Sequence, residues 1–138
     1  MTLATVTGNQ PWVTTLYYGF DMMMNFYVLT DPATRHAKEF LKNPHVAFNI
    51  FDSAQKNGDP IKIGVQGTGT ISQVKGLADN TKAILLWHQA NPGMETRISI
   101  KDLLKRVTDT RIYKITPIFM KHFNKSLYPE TKYGLLEL

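Results

Sequence analysis

The chain has 138 residues, of which 43% are hydrophobic and 20% are charged, and its formal net charge is +5. A chain of this length forms one domain and buries about two-thirds of the surface that it exposes when unfolded. It contains no cysteine, which excludes disulfides, thiolate metal sites and a cysteine nucleophile. It also has no secretory signal and no apolar run near the roughly 20 residues that span a bilayer. We therefore predict a single domain over residues 1–138, in the cytoplasm and without a membrane partner.

Runs of β-branched and aromatic residues predict strands in the first part of the chain. Leu3–Val6 and Trp12–Tyr18 are predicted to form a hairpin around a turn at Gly8-Asn9. Asn25–Thr30 is predicted as a third strand.

A short helix is predicted next. Asp31 is a suitable N-cap, Pro32 suits the first helical position, and Asn43-Pro44 ends the helix because the residue before a proline avoids the helical region. One face of this helix carries the apolar residues Ala33, Ala37, Phe40 and Leu41.

The rest of the chain adds further strands and two helices. The predicted strands are His45–Phe51, Ile61–Val74, Arg111–Thr116 and Ile118–Asn124, the last two divided by Pro117. The predicted helices are Leu77–Asn91 and Ser99–Arg106. Because strands and helices do not alternate regularly, we predict an α+β, mostly antiparallel β-barrel with a few flanking helices.

Several kinds of site have no motif in this sequence. It has no glycine-rich dinucleotide loop after a strand, no P-loop and no serine nucleophile elbow. The four histidines are scattered without the spacing of a zinc site, so we predict no metal.

One segment, Thr30–Lys38, concentrates polar chemistry where a strand meets a helix. Backbone N–H groups at the start of a helix attract anions, and an arginine binds phosphate through two parallel hydrogen bonds. Thr34, Arg35 and His36 therefore form a candidate phosphate site. The alternative interpretation is a charged helix surface on which the threonine satisfies its own backbone.

The same segment resembles a known family. The run FYVLTDPATRHAKEFLKNPHVAFNIF is similar to the central block of the pyridoxamine 5'-phosphate oxidase-like, FMN-binding split-barrel family. In that family a strand ends in threonine and is followed by Ser/Thr-Arg-Lys, Asn-Pro and another apolar strand. LATVTGNQPWVTTLYY resembles the family's first hairpin, and IKIGVQGTGTIS resembles its long glycine-containing strand. The resemblance covers residues 3–75 and extends loosely to Tyr113–Pro117.

The resemblance implies a split β-barrel homodimer with FMN across the subunit interface. The flavin ring would follow the second strand, and Arg35 and His36 would hold the phosphate. The implied cofactor-binding residues are Val13, Thr14, Thr15, Leu16, Leu29, Thr30, Thr34, Arg35, His36 and Lys62.

Three departures separate the chain from the oxidase proper. That enzyme has Arg-x-Val-Leu-Leu-Lys on its second strand, where this chain has Trp12–Tyr17 and no cation. His36 replaces the family's lysine, and the end KSLYPETKYGLLEL lacks the oxidase's Arg-Leu-x-Pro block. We therefore predict a different member of the family, a flavin-dependent oxidoreductase that acts on a small organic substrate, with NAD(P)H as a candidate reductant and no catalytic side chain assigned.

Two alternatives stay open. One is a protein that binds flavin, deazaflavin or haem without turnover, from which an enzyme is distinguished by anaerobic reduction of its flavin by NAD(P)H. The other is a nucleic-acid module, because residues 70–138 carry eleven basic and six acidic residues while residues 1–69 carry five of each. The strand aromatics show no RNA-binding pattern, so nucleic acid is not the partner that we predict.

Overall fold

The computed structural model describes residues 1–52, 63–104 and 108–138. The strands are β1 (Thr2–Thr7), β2 (Gln10–Thr15), β3 (Tyr18–Phe20), β4 (Phe26–Thr30), β5 (His45–Phe51), β6 (Ile63–Gln73), β7 (Arg111–Asn124) and β8 (Tyr133–Glu137). The helices are α1 (Arg35–Lys42), α2 (Leu77–Ala90) and α3 (Ile100–Leu104).

The strands that the structure describes form one antiparallel sheet. Its order is β2-β1-β5-β6-β7-β4-β3, and β8 pairs with the C-terminal half of β7. Helix α1 connects β4 to β5 and packs against β1, whereas α2 packs against β3. The α+β, mostly antiparallel architecture predicted from the sequence is confirmed.

The first hairpin forms as predicted, but the strand after it is divided. Gly8 has a φ of 61°, a left-handed conformation that glycine adopts without steric cost, and it turns β1 into β2. The predicted strand Trp12–Tyr18 is wrong at its end, because the chain leaves β2 after Thr15 and begins β3 at Tyr18. Strand β3 pairs with β4, at the opposite end of the sheet from β2.

The start of α1 differs from the prediction. Asp31 and Pro32 do not begin the helix: the Asp31 carboxylate accepts the Ala33 N–H at 2.7 Å, and the Asp31 carbonyl accepts the Thr34 N–H at 3.1 Å. This Asx turn occupies the residues that the prediction placed in the first helical turn. The N-cap of α1 is Thr34.

The buried face of α1 also differs from the predicted apolar face. Ala37 and Phe40 are buried as predicted, but Leu41 is exposed. His36 and Glu39 are buried instead. A polar group is stable in such a position when hydrogen bonds replace its water, so the partners of these two side chains are of functional interest.

Strand β7 runs through Pro117, so the predicted division into two strands is wrong. Pro117 lies opposite Gly69, where the pairing with β6 shifts register after Thr68. A proline is accommodated at such an irregularity because no ladder hydrogen bond from its nitrogen is required there. Tyr133–Glu137 forms β8 although the tail shows little periodicity.

Two hydrophobic clusters form the core. The first fills the space between the inner face of the sheet and α1, and it contains Leu3, Phe26, Val28, Ala37, Phe40, Val46, Phe48, Ile71, Tyr113, Ile115 and Met120. The second lies under α2 and contains Tyr27, Ala83, Ile84, Trp87, Leu103 and Ile112.

We expect Gly69→Ala to lower the free energy of unfolding by roughly 1–3 kcal/mol, the usual range for overpacking. A Cβ at this buried position would collide with the backbone carbonyl of Thr116 on β7. Chemical denaturation measures the change. Ser72→Ala on the exposed face of the same strand is the control and should stay within about 0.5 kcal/mol; an equal loss in both variants would contradict the packing argument.

Candidate functional site

Helix α1 begins without a side-chain cap. The Thr34 hydroxyl donates to the Asp31 carbonyl at 2.7 Å, which turns it away from the helix. The first hydrogen bond of the helix joins the Lys38 N–H to the Thr34 carbonyl at 3.0 Å. The N–H groups of Arg35, His36 and Ala37 precede this bond and have no partner within the helix. They are donors suited to an anion.

The His36 ring lies beneath this helix start. Its Nε2 is 2.7 Å from the Thr30 Oγ1 and 3.1 Å from the Thr34 Oγ1, and the residue is 8% exposed. The Thr34 hydroxyl donates to the Asp31 carbonyl, so its oxygen can only accept from the ring, whereas the Thr30 hydroxyl can donate to Nε2 or accept from it. Burial lowers the pKa of His36, opposed in part by the charge of Glu39, so the ring is neutral at pH 7.

Acidification below pH 6.5, the ordinary pKa of a histidine, is expected to destabilise the protein through His36. Since its folded pKa is lowered, the unfolded chain binds this proton more readily, and the stability present above pH 6.5 is lost as the pH falls through the folded pKa. Thermal unfolding of His36→Gln should therefore be less sensitive to pH in this range. An unchanged pH dependence in His36→Gln would contradict the account.

The Arg35 guanidinium is held on two sides. Its Nε donates to the Glu39 Oε1 at 2.9 Å, and its Cζ lies 4.2 Å from the centre of the Trp12 ring. The Glu39 Oε2 accepts the Thr5 hydroxyl at 2.6 Å. The hydrogen bonds from Thr5 and Arg35 hold the pKa of Glu39 below its usual value, so it stays ionised and its two oxygens are occupied.

Charges of both signs surround the start of α1. Arg35 and Lys38 are cationic, Asp31 and Glu39 are anionic, and His36 is neutral, so the formal charges of these residues cancel. An anion at this position is therefore attracted by N–H groups that point towards it rather than by a net positive charge.

The predicted residues on β2 are divided between the two faces of the sheet. Val13 lies opposite Ala4, and Thr15 lies opposite Thr2. Cross-strand partners point to the same face, so Val13 and Thr15 lie on the outer face of the sheet. Thr14 lies opposite Leu3, on the inner face that α1 covers.

The remaining predicted residues have different environments. Thr30, Thr34 and His36 meet in one hydrogen-bonded cluster, and Arg35 adjoins them in the chain. Leu16 packs against the first core cluster and Leu29 against the second. Lys62 lies outside the described residues.

Three contacts at this site were not predicted from the sequence: Arg35 with Glu39, Arg35 with Trp12, and Thr5 with Glu39. The spacing of Arg35 and Glu39, four residues apart on a helix, is a recognisable ion-pair signal. Trp12 and Thr5 reach the same cluster only because β1 and β2 pack beside α1. No local sequence pattern predicts this packing.

Among the described residues, no group of three or more His, Asp or Glu side chains is placed to hold a metal ion. In the same part of the chain, no helix has the length and apolar character needed to cross a membrane.

The sequence matches one protein-family model over most of its length. Residues 1–117 match the family model described as pyridoxamine 5'-phosphate oxidase. The chain belongs to this family. The match spans β1 to the middle of β7, including the junction between β4 and α1, and it confirms both the predicted family and the split-barrel fold.

Solved structures show the same fold at low sequence identity. A haem-binding protein from Mycobacterium smegmatis superposes with a TM-score of 0.74 at 14% identity, covering 99% of this chain and 51% of its own. A NimC/NimA family protein from Clostridium acetobutylicum gives 0.64 at 16% identity, covering 99% and 82%. HutZ, the haem storage protein from Vibrio cholerae, gives 0.58 at 23% identity, covering 84% and 79%. The comparison with curated proteins gave no significant match.

Proposed function

We propose that this protein binds FMN, with the terminal phosphate at the start of α1. The observation that carries the proposal is the uncapped helix N-terminus beside Arg35. The helix offers the free N–H groups of its first turn, and Arg35 uses only its Nε in binding Glu39. Its two terminal amino groups have no hydrogen bond to the described residues and can take a phosphate through two parallel bonds.

The flavin ring is proposed to lie along β2. This strand pairs with β1 on one side only, so the backbone donors and acceptors of its other edge are open among the described residues. The pyrimidine edge of a flavin carries carbonyl acceptors and an N–H donor, which an open strand edge matches. Val13 and Thr15 would contact the ring from the outer face of the sheet.

The protein is proposed to act as a homodimer through this outer face. One row of cross-strand neighbours runs across it and contains Val13, Ala4, Ala47, Thr68 and Phe119. Two shallow depressions of about 340 Å³ and 360 Å³ share Ala4, Ala47 and Thr68 in their lining. Small, mostly uncharged side chains allow a second sheet to approach closely, and the flavin would then be enclosed between the two chains.

The proposed activity is oxidation or reduction of a small organic substrate, with NAD(P)H as the reductant. Bound FMN would supply the redox chemistry by accepting and passing on a hydride. Arg35 and the helix N–H groups would hold the phosphate, and the His36 hydrogen bonds would keep Thr30 and Thr34 in place beneath it. The chain would thus contribute binding and orientation.

The visible spectrum of the purified protein, followed by anaerobic addition of NADPH, tests the proposal. We expect a flavin spectrum, FMN in the acid extract and bleaching by the reductant. If NADPH does not reduce the bound flavin, NADPH is excluded as the reductant. A colourless protein that does not bind added FMN would overturn the proposed function.

Haem binding is the second candidate, and a specific observation favours it. His45 is exposed on the outer face and lines the 360 Å³ depression together with Ala47 and Ile118. An imidazole beside an apolar surface can bind haem iron, and two proteins of the same fold are described as binding or storing haem. Titration with haemin would give a Soret band that His45→Ala abolishes; no band in the wild type would exclude this candidate.

A further inference from the structure

Trp12 stands where the oxidase proper has a cation, and it contacts the one arginine of the candidate phosphate site. The guanidinium carbon of Arg35 lies 4.2 Å from the centre of the Trp12 ring. Both residues are exposed, Trp12 by 39% and the Arg35 side chain by 48%. Without a second contact, an arginine this exposed would sample many rotamers around its bond to Glu39.

The two contacts of Arg35 occupy different parts of the guanidinium. Glu39 binds Nε, and the guanidinium carbon lies over the Trp12 ring. The edge formed by the two terminal amino groups stays open, and this is the edge that binds a phosphate through two parallel bonds. Glu39 is itself fixed, because its second oxygen accepts from Thr5, which is 1% exposed.

We infer that Trp12 is a positioning residue for phosphate recognition. Its ring holds the Arg35 guanidinium in the plane in which the two terminal amino groups face the phosphate. This role matters because the formal charges around the site cancel, so recognition depends on the direction of the donors. The inference rests on the proposed FMN binding, and it adds a residue that sets the preference for a phosphorylated flavin over riboflavin.

The orientation of Arg35 can be measured without any flavin. In a nitrogen–proton correlation spectrum, the Arg35 Nε–H signal should be shifted by the Trp12 ring current and is assigned by its loss in Arg35→Ala. We expect Trp12→Ala to move this signal towards that of a free arginine and Trp12→Phe to keep most of the shift. An Nε–H signal that Trp12→Ala leaves in place would overturn the inference, whatever the protein binds.

The preference for FMN over riboflavin provides the second measurement. We expect Trp12→Ala to lower the ratio of the two affinities about two- to fivefold, the size of an exposed cation–π contact. Affinity for riboflavin should stay unchanged, and Trp12→Phe should restore most of the ratio. Phe20→Ala, another exposed aromatic on a strand, is the matched control and should leave the ratio as it is.

A double-mutant cycle separates positioning from direct contact. In the Arg35→Ala background, Trp12→Ala should cause no further change in FMN affinity, because its effect passes through Arg35. Equal losses of affinity for FMN and riboflavin, or additive effects of the two substitutions, would overturn the inference. They would indicate that Trp12 contacts the flavin ring directly. If wild-type protein binds both flavins equally, the proposed function fails, and the Nε–H signal alone decides the positioning role.

Discussion

Arg35→Ala is expected to weaken FMN binding roughly 10- to 100-fold, since a charge-assisted hydrogen bond contributes about 1.5–3 kcal/mol. The arginine borders the uncapped start of α1 and keeps its terminal amino groups available for a phosphate. Fluorescence titration of the flavin measures the change.

Lys42→Ala is the matched control, because it removes the same charge from the other end of α1. Lys42 lies about 10 Å further along the helix axis, where a screened surface charge should alter the affinity by less than about twofold. Arg35→Ala should also leave riboflavin binding almost unchanged. Similar losses in both variants would contradict a defined phosphate site and indicate a diffuse electrostatic effect.

Ala47→Glu is expected to convert the proposed dimer into monomers and to release the FMN that we propose it binds. Ala47 lies in the centre of the outer face, between Ala4 on β1 and Thr68 on β6. A carboxylate there would lose its water in an interface that we expect to exceed about 2,000 Å², and no cation lies among its cross-strand neighbours to offset that cost. Sedimentation velocity over a range of concentrations, with flavin absorbance recorded in parallel, measures both effects.

The control for this prediction is Ala90→Glu, the same substitution at an exposed position at the end of α2. It should leave the assembly state and the flavin content unchanged. Flavin retention by the wild type should also fall on dilution, because each pocket loses the part that the partner supplies. A monomeric wild type that keeps its flavin would contradict the proposed position of the site between two chains.

Much of the fold could be predicted because the local signals agree with the tertiary structure. The Gly8-Asn9 turn fixes the first hairpin, and α2 follows from its apolar stripe and the Asn91-Pro92 stop. The errors occur where tertiary contacts override local pattern. Pro117 interrupts the pattern in sequence, yet the strand continues because the register shift opposite Gly69 accommodates it.

The candidate site was only partly predictable, for a related reason. The segment from Thr30 to His36 is local, so its hydroxyl, imidazole and guanidinium groups could be recognised together in the sequence. The directions of these side chains could not be predicted, because the Asx turn at Asp31 moves the start of the helix by one turn and directs His36 inward. The contact between Arg35 and Trp12 joins residues far apart in the chain.

The central claim is that the start of α1 recognises the phosphate of a flavin, and the dissociation constants of FMN and riboflavin for the wild-type protein test it most directly. The donors at this site can contact only the phosphorylated ligand, so we expect FMN to bind at least about tenfold more tightly, which is the effect of one charge-assisted hydrogen bond. Equal dissociation constants for the two flavins would contradict the claim and remove Thr34, Arg35 and His36 from the cofactor site.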